Sequence, residues 1–423
     1  MIRDKNSVSD RWRVVIDGKN LALSQGTGVA TYARSLCRNL AALDLDVHLL
    51  YGDRAAGPTP WFKKRPATVR YAERLAKLVS DAVPTKAGHN VLYDSESRYR
   101  LDGVSQYWRA PYVFDRPSLP LTWDRFQSIR NVMQADVAHW TYPLPALLSG
   151  AANIYTLHDL VPLKLPETTL DNKRAYYAMI RKITQTADLI VTVSEQSKAD
   201  IHALFDIADG RVVNTYQDVD IPDDLLGEGM DHVAVTLAAD FGLEMGRFLL
   251  FYGAVEPKKN VGRLIEAHLS SGLDIPLVVA GKDGWLIENE LRAYHAHLAN
   301  PGGPLRILRL PYVTRAQLVR LTRGALAVTF PSIYEGFGLP LVEAMLCETP
   351  LLTSNQGAMK EIAGDAAVLV DPYDVASIRE GLKRIATEPT LRADLVAAGR
   401  IRAEAFSSAA YRERLKDAYA RLR

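Results

Sequence analysis

Two glutamates, Glu335 and Glu343, stand eight positions apart in the segment Pro331 to Met345, PSIYEGFGLPLVEAM. A carboxylate pair raises the question of glycoside hydrolysis. Eight residues wound as helix span about 12 Å, beyond the roughly 5 to 9.5 Å between two hydrolytic carboxyl groups. The spacing therefore suits a division of labour, in which each glutamate accepts hydrogen bonds from different hydroxyls along an extended ligand. Between them, Gly336 and Gly338 let backbone approach a ligand closely, and Pro340 fits the first residue of a helix. The N–H groups of Leu339, Leu341 and Val342 are then expected to point into a cleft, where the helix dipole favours an anion such as phosphate. The competing reading is a glycine turn capping a helix that carries two surface glutamates.

A second set lies in Gly253 to Asn260, GAVEPKKN, where Lys258 and Lys259 fall between a strand end and a helix start. If neighbouring strands carry these lysines and the Pro340 helix, one diphosphate can meet both; otherwise they are a solvated pair. The loop Gly26-Thr27-Gly28 is a third candidate, offering a backbone surface that closes on the same phosphates from the opposite side. It lacks the GxGxxG dinucleotide fingerprint, because position 31 is Thr. In TLHDLVP, Thr156 to Pro162, His158 falls at the end of an expected strand, and Ser194 has a similar place after Leu189 to Val193.

These residues need a scaffold that gathers strand ends. Short β-branched runs alternate with helical patterns, which argues for α/β layers on parallel sheets. In the first half, strands are expected at 13–17, 47–51, 137–140, 153–157 and 189–193, with a helix over 29–43. In the second half they are expected at 248–253, 277–280 and 326–330. Thr314 and Gln317 have capping-box spacing ahead of a helix from Arg315 to about Thr322, Asn260 is placed to cap another, and Gly272 ends that one. The reading is two doubly wound Rossmann-like domains facing across a cleft, residues 1–230 and 247–405, joined by a linker over 220–246. The final helix, 406–423, is expected to pack back on the first domain. Ligands of such sheets bind outside the carboxyl ends of the strands.

Composition sets the outer bounds. A chain of 423 residues is long enough for two cores, and 51 Lys plus Arg against 49 Asp plus Glu leaves no basic excess for nucleic acid. Cys37 and Cys347 are far apart and outside any CxxC motif, and the charged start MIRDKNSVSDRWR is no export signal, so a reduced, cytoplasmic protein is expected. The stretch 137–157 carries no Asp, Glu, Lys or Arg, but Pro143, Pro145 and Gly150 interrupt it, so no membrane-spanning helix is expected there. Between Trp61 and Lys77, six lysines and arginines face a single acid, Glu73. That is either a solvated helix face or a peripheral contact with the anionic inner face of a cell membrane.

Taken together, the motifs resemble those of the retaining family-4 glycosyltransferases of the GT-B fold, in particular bacterial mannosyltransferase-like members. The resemblance rests on E-x7-E with its internal GFG, on GAVEPKKN, on the GTG loop and on TLHD, and it covers nearly the whole chain except about 53–130. It implies a metal-independent hexosyltransferase without a cofactor, whose nucleotide-sugar donor is a substrate. It further implies catalytic roles for His158, Lys259 and Glu335, the last near the transferred sugar. Phe337, Gly338 and Leu339 would supply backbone contacts, Glu343 would hold the ribose, Lys258 would support the diphosphate, and Val313 would lie at the base. Gly26 and Gly28 would close on the phosphates. Ala254 stands where many members have arginine, and Pro311 where a glycine is common. Two DxD sequences, Asp44-Leu45-Asp46 and Asp218-Val219-Asp220, are of the type that binds Mn²⁺ in another glycosyltransferase fold, but neither lies beside the glycine loops. The EPKKN-type segment looks like that of relatives using GDP-mannose, so the expected reaction is mannosyl transfer to a glycan or lipid-linked oligosaccharide. The alternatives are a UDP- or dTDP-sugar donor, or a non-catalytic sugar-nucleotide-binding protein on the same fold.

Overall fold

The computed structural model describes residues 11–21, 28–52, 91–94, 100–110, 113–114, 126–299 and 306–422. Gly26 and the basic segment 61–77 lie outside the described residues. Strands β1 (Arg13–Asp17), β2 (Asp46–Tyr51), β3 (Leu92–Tyr93) and β4 (Gln106–Arg109) open the chain. They are followed by β5 (Gln127–Arg130), β6 (Val137–Trp140), β7 (Ala146–Ser149), β8 (Ala152–Thr156), β9 (Leu189–Thr192) and β10 (Val212–Asn214). Eight of these form one sheet in the order β10-β9-β8-β6-β1-β2-β4-β3, and β5 pairs with β7. Among the described strands only β3 runs antiparallel in the large sheet. The second sheet is parallel throughout, with β11 (Leu249–Tyr252), β12 (Leu277–Ala280), β13 (Ile307–Leu310), β14 (Ala327–Phe330), β15 (Leu351–Ser354) and β16 (Val368–Val370) in the order β13-β12-β11-β14-β15-β16. Every residue of β6, β8, β9, β11, β12, β14 and β15 is buried, as expected where helices cover both faces of a parallel sheet.

Local signals placed several helices. Gly28–Ala42, Val261–Ser270 and Leu339–Leu346 follow the strands expected to feed them. Thr314 and Gln317 form the capping box of Arg315–Gly324, and Gly272 takes the left-handed conformation two residues after Ser270. The stretch 220–246 is not an open linker. It holds helices Asp223–Leu226 and Met230–Phe241, whose glycines act at the ends: Gly229 is the N-cap, and Gly242 is the left-handed residue after the last turn. Val233 and Leu237 are buried, and Leu237 lies against Gly324 of the second domain. Asp223, Asp224 and Asp231 fall in the first helical turns, where the macrodipole favours them.

The last helix, Ser408–Ala420, returns to the first domain. Ser408 donates to Asp218 at 2.7 Å, Arg412 to Asn39 at 3.3 Å, and Tyr419 shares a hydrogen bond with His139 Nδ1 at 2.8 Å. Asp218 also accepts from Ser35 and Asn39, Asp220 pairs with Arg38, Asp44 with Arg11, and Asp46 with Arg13. All four aspartates of the two DxD sequences are thus engaged by the scaffold. Among the described residues no helix is long and apolar enough to cross a membrane.

Candidate active site

Strand order decides which loops meet. In the second sheet, β11 has β12 on one side and β14 on the other, so the chain direction of growth reverses between β11 and β14. The crevice of a doubly wound sheet lies at such a reversal. Parallel pairing of Leu249 with Ala327 and Leu250 with Val328 brings the GAVEPKKN loop beside the PSIYEGFG loop. The first sheet reverses between β1 and β6, and β8 flanks β6, which gathers Asp17, Thr141 and His158 at the facing carboxyl ends.

Glu335 joins the two loops of the second domain. Its carboxylate meets Lys258 Nζ at 3.0 Å and Lys259 Nζ at 2.5 Å, while Ser332 Oγ donates to it at 3.2 Å. The side chains of Glu335, Lys258 and Lys259 are only 11%, 14% and 15% exposed, which removes the solvated-pair reading. Burial alone would raise the Glu335 pKa, but the two ammonium groups outweigh it and hold the group down at about 2. Burial likewise opposes the charge on Lys258, yet Glu335, Asp159 and Glu256 raise its pKa above the ordinary value. Glu256 lies 4.0 Å from both lysines. Its own pKa is raised by burial, partly offset by those lysines. Lys259 Nζ also sits 4.9 Å above the Phe330 ring. The result is a buried cation pair at the strand ends, held by carboxylates that an arriving anion must displace or share.

Glu343 serves a separate place. It accepts from Tyr252 OH at 2.9 Å and is ion-paired with Arg315, so among the described residues the two glutamates have no common partner. Phe337 is buried edge-on against Phe406, their rings 5.4 Å apart. Gly338 caps the Leu339–Leu346 helix at φ 97°, and a Cβ there would lie 2.6 Å from Met359. Gly338 at the N-cap position has no side chain to cap this helix start. One expected free donor is taken, because the Leu341 N–H bonds the Gly338 carbonyl at 3.0 Å, the left-handed Gly338 folding its carbonyl back over the turn. Asn260 takes the N-cap position but does not cap; in its left-handed conformation the amide donates to the Pro331 and Pro372 carbonyls.

Across the cleft, His158 Nε2 lies 2.9 Å from the Thr141 carbonyl. A carbonyl only accepts, so Nε2 carries the hydrogen and the neutral ring keeps its lone pair on Nδ1. Burial pushes the His158 pKa down, with the Thr141 contact and Asp159 acting the other way. Tyr32 meets the ring edge-on at 4.8 Å. Gly28 opens the first helix and faces Leu339, and Val313 packs half-buried after β13. Ser194 is a cap, accepting the Ser197 N–H at 3.0 Å.

The two domains touch at these same loops. Ser197 Oγ donates to the His158 carbonyl at 2.7 Å and faces the Gly336 carbonyl at 3.4 Å. Tyr334 OH donates to Asp200 at 2.6 Å, and Glu361 accepts the N–H groups of Glu195 and Gln196 at 2.7 and 2.9 Å. Trp285 donates to the Thr168 carbonyl at 2.6 Å. A Cβ on Gly336 would lie 2.2 Å from the His158 carbonyl, so Gly336→Ala cannot keep this contact. The variant should remain folded and show a larger radius of gyration by small-angle scattering; an unchanged radius would mean that the loops do not need the close approach.

Glu256, Asp159, Tyr252 and Arg315 were not singled out in the sequence. Glu256 and Asp159 sit inside or beside the quoted motifs, which was the available signal; Arg315 and Tyr252 are placed by tertiary pairing alone. Among the described residues no three His, Cys, Asp or Glu side chains group as a metal site.

Residues 26–220 match the model described as Glycosyltransferase Family 4, and residues 238–402 that of Glycosyl transferases group 1. The chain is 29% identical over 275 residues to O-antigen chain mannosyltransferase B of Escherichia coli, covering 62% of this chain and 68% of that protein. It is 27% identical over 266 residues to the serotype-specific mannosyltransferase WbdA of Escherichia coli, covering 61% of this chain but only 32% of that longer protein. Sucrose-phosphate synthase from Thermosynechococcus elongatus superposes with a TM-score of 0.68 at 18% identity, covering 97% of this chain and 99% of that one. Anabaena HepE, solved with UDP and glucose, gives 0.67 at 12% identity, covering 97% and 100%. With two such family domains in sequence, two parallel-sheet domains in space and a charged cleft between them, the chain belongs to the glycosyltransferases of the GT-B fold.

Proposed function

We propose that the protein transfers mannose from GDP-mannose to a hydroxyl of a glycan or lipid-linked glycan, with retention at the anomeric carbon and without a metal ion or cofactor. The observation that carries the proposal is the buried pair Lys258 and Lys259, gathered at the strand-order reversal by Glu335, whose neighbour Gly336 packs on the His158 carbonyl. The names of the Escherichia coli relatives support mannose as the sugar and polysaccharide assembly as the setting. In this reading the lysines and the Leu339 helix start receive the diphosphate, and Glu343 the ribose. Val313 lies at the base, while Gly26 and Gly28 close from the first domain. Glu335 and the backbone at Phe337 and Gly338 hold the sugar, and His158 Nδ1 accepts from one of its hydroxyls.

As the anomeric C–O bond breaks, its electron pair passes to the leaving phosphate oxygen. The acceptor oxygen bonds to the same face of the anomeric carbon, and its proton goes to that phosphate oxygen. The proposed route is direct rather than through a covalent glycosyl–Glu335 intermediate, because both Glu335 carboxylate oxygens are engaged by Lys258 and Lys259; trapping a covalent glycosyl-enzyme would refute it. The proposed location is the cytoplasm, with peripheral contact at the inner membrane face; nucleic acid is not a proposed partner.

A thermal-shift panel of GDP, UDP, dTDP and their sugars, run with excess EDTA, tests the reading. GDP and GDP-mannose should raise the melting temperature, since a ligand at 100 times its Kd adds about 2.7 kcal/mol. A response to UDP or dTDP alone would change the donor. Dependence on divalent metal would overturn the metal-free site, and silence across the panel would remove the donor reading.

A further inference from the structure

Behind His158 stands a buried carboxylate that does not touch it. Asp17, the last residue of β1, is fully buried. Its Oδ2 accepts both the backbone N–H of Thr141 and the Thr141 hydroxyl, the latter at 2.8 Å, and its Oδ1 accepts the Lys19 N–H at 3.3 Å. Thr141 directly follows β6, and its carbonyl is the group that receives His158 Nε2–H at 2.9 Å. One residue is therefore gripped by Asp17 through its N–H and hydroxyl, and grips the imidazole through its carbonyl. Removing a carboxylate from water is costly unless hydrogen bonds replace the lost hydration, and here the donors come from Thr141 and Lys19, in the loops that follow β6 and β1 at the reversal of the first sheet. A plain strand end needs no such group.

We propose that Asp17 is a positioning residue for His158: it fixes the Thr141 peptide so that its carbonyl selects the Nε2–H tautomer and leaves Nδ1 as the acceptor in the cleft. The ring is also met by Tyr32, edge-on at 88°, whose hydroxyl is anchored on Thr156 Oγ1 at 2.9 Å. Thr141, held by Asp17, and Tyr32 thus contact the ring from two separate elements. The tautomer part stands on geometry alone, and the kinetic part rests on the donor reading above.

The test uses the full chain with ¹⁵N-labelled imidazoles, the His158 signals being identified by their loss in His158→Gln. The folded wild type should show His158 as a single Nε2–H tautomer. Asp17→Asn keeps the volume but places an NH₂ where Lys19 N–H or the Thr141 donors now point, and should give a mixture of tautomers. Thr141→Val, which removes the hydroxyl but keeps the N–H, should give a smaller shift of the same kind and serves if Asp17→Asn does not fold. GDP release from GDP-mannose should fall on the order of 100-fold in kcat for Asp17→Asn, as for a misplaced reacting group, with GDP affinity changed less than about twofold. Wild-type tautomer signals in a folded Asp17→Asn or Thr141→Val protein would overturn the inference. Failure of the wild type itself to bind GDP would instead remove the donor reading and leave the tautomer result standing.

Discussion

Glu335→Ala is expected to destabilise the folded protein by about 3–5 kcal/mol at neutral pH, the usual cost of removing one partner from a buried ion pair. Alanine leaves Lys258 and Lys259, each about 15% exposed, with Glu256 at 4.0 Å as their nearest remaining carboxylate. The depressed pKa of Glu335, caused by the same two lysines, points the same way. A fall from the ordinary 4.5 to about 2 corresponds to roughly 3 kcal/mol, at 1.36 kcal/mol per unit. Because the folded value is the lower one, this stabilisation is fully present above about pH 4.5 and disappears as pH falls through about 2. Urea unfolding at pH 7 should therefore separate wild type and variant widely, and the gap should close progressively between pH 4.5 and pH 2. Equal midpoints at pH 7 would show that the lysines do not depend on Glu335.

The elements that carry this cluster were legible from the sequence; the pairing within it was not. Strands such as Ala327–Phe330 and the capping box at Thr314 and Gln317 are local patterns, and local patterns fix their own positions. That Glu335 rather than Glu343 takes both lysines depends on β11 lying beside β14, an order that no stretch of adjacent residues encodes. The same limit explains Asn260. As a residue type it suits an N-cap, but the neighbouring loops offer it the carbonyls of Pro331 and Pro372, and its amide answers those instead. The stretch 220–246 read as a linker because glycines and acids that end and begin helices also mark loops, and burial of Val233 and Leu237 against the second domain is a tertiary fact. Asp17 carries no motif at all; a single aspartate after RVVI becomes informative only when Thr141 and His158 are seen in line with it.

Lys259→Ala should lower kcat for GDP release from GDP-mannose by about 100 to 1,000-fold, or about 2.7–4 kcal/mol, as for loss of one preorganised donor to a developing anion. The loss belongs in kcat because charge on the diphosphate grows as the glycosidic bond breaks, so the lysine contributes more at the transition state than to the bound donor. Lys258→Ala should behave similarly, but the two effects will not add. Both ammonium groups share the Glu335 carboxylate, at 2.5 and 3.0 Å, so removing one releases the other from part of its pairing and changes its geometry. The double variant should therefore differ from the sum of the single losses by a measurable coupling, about 0.5–3 kcal/mol for residues in direct contact. Lys259→Arg keeps the charge but replaces a compact ammonium with a planar fork, over a Phe330 ring that lies 4.9 Å from Nζ, and should recover only part of the rate. A loss below about tenfold in Lys259→Ala, with normal GDP affinity, would mean that the Leu339 helix start carries the leaving diphosphate without the lysine pair.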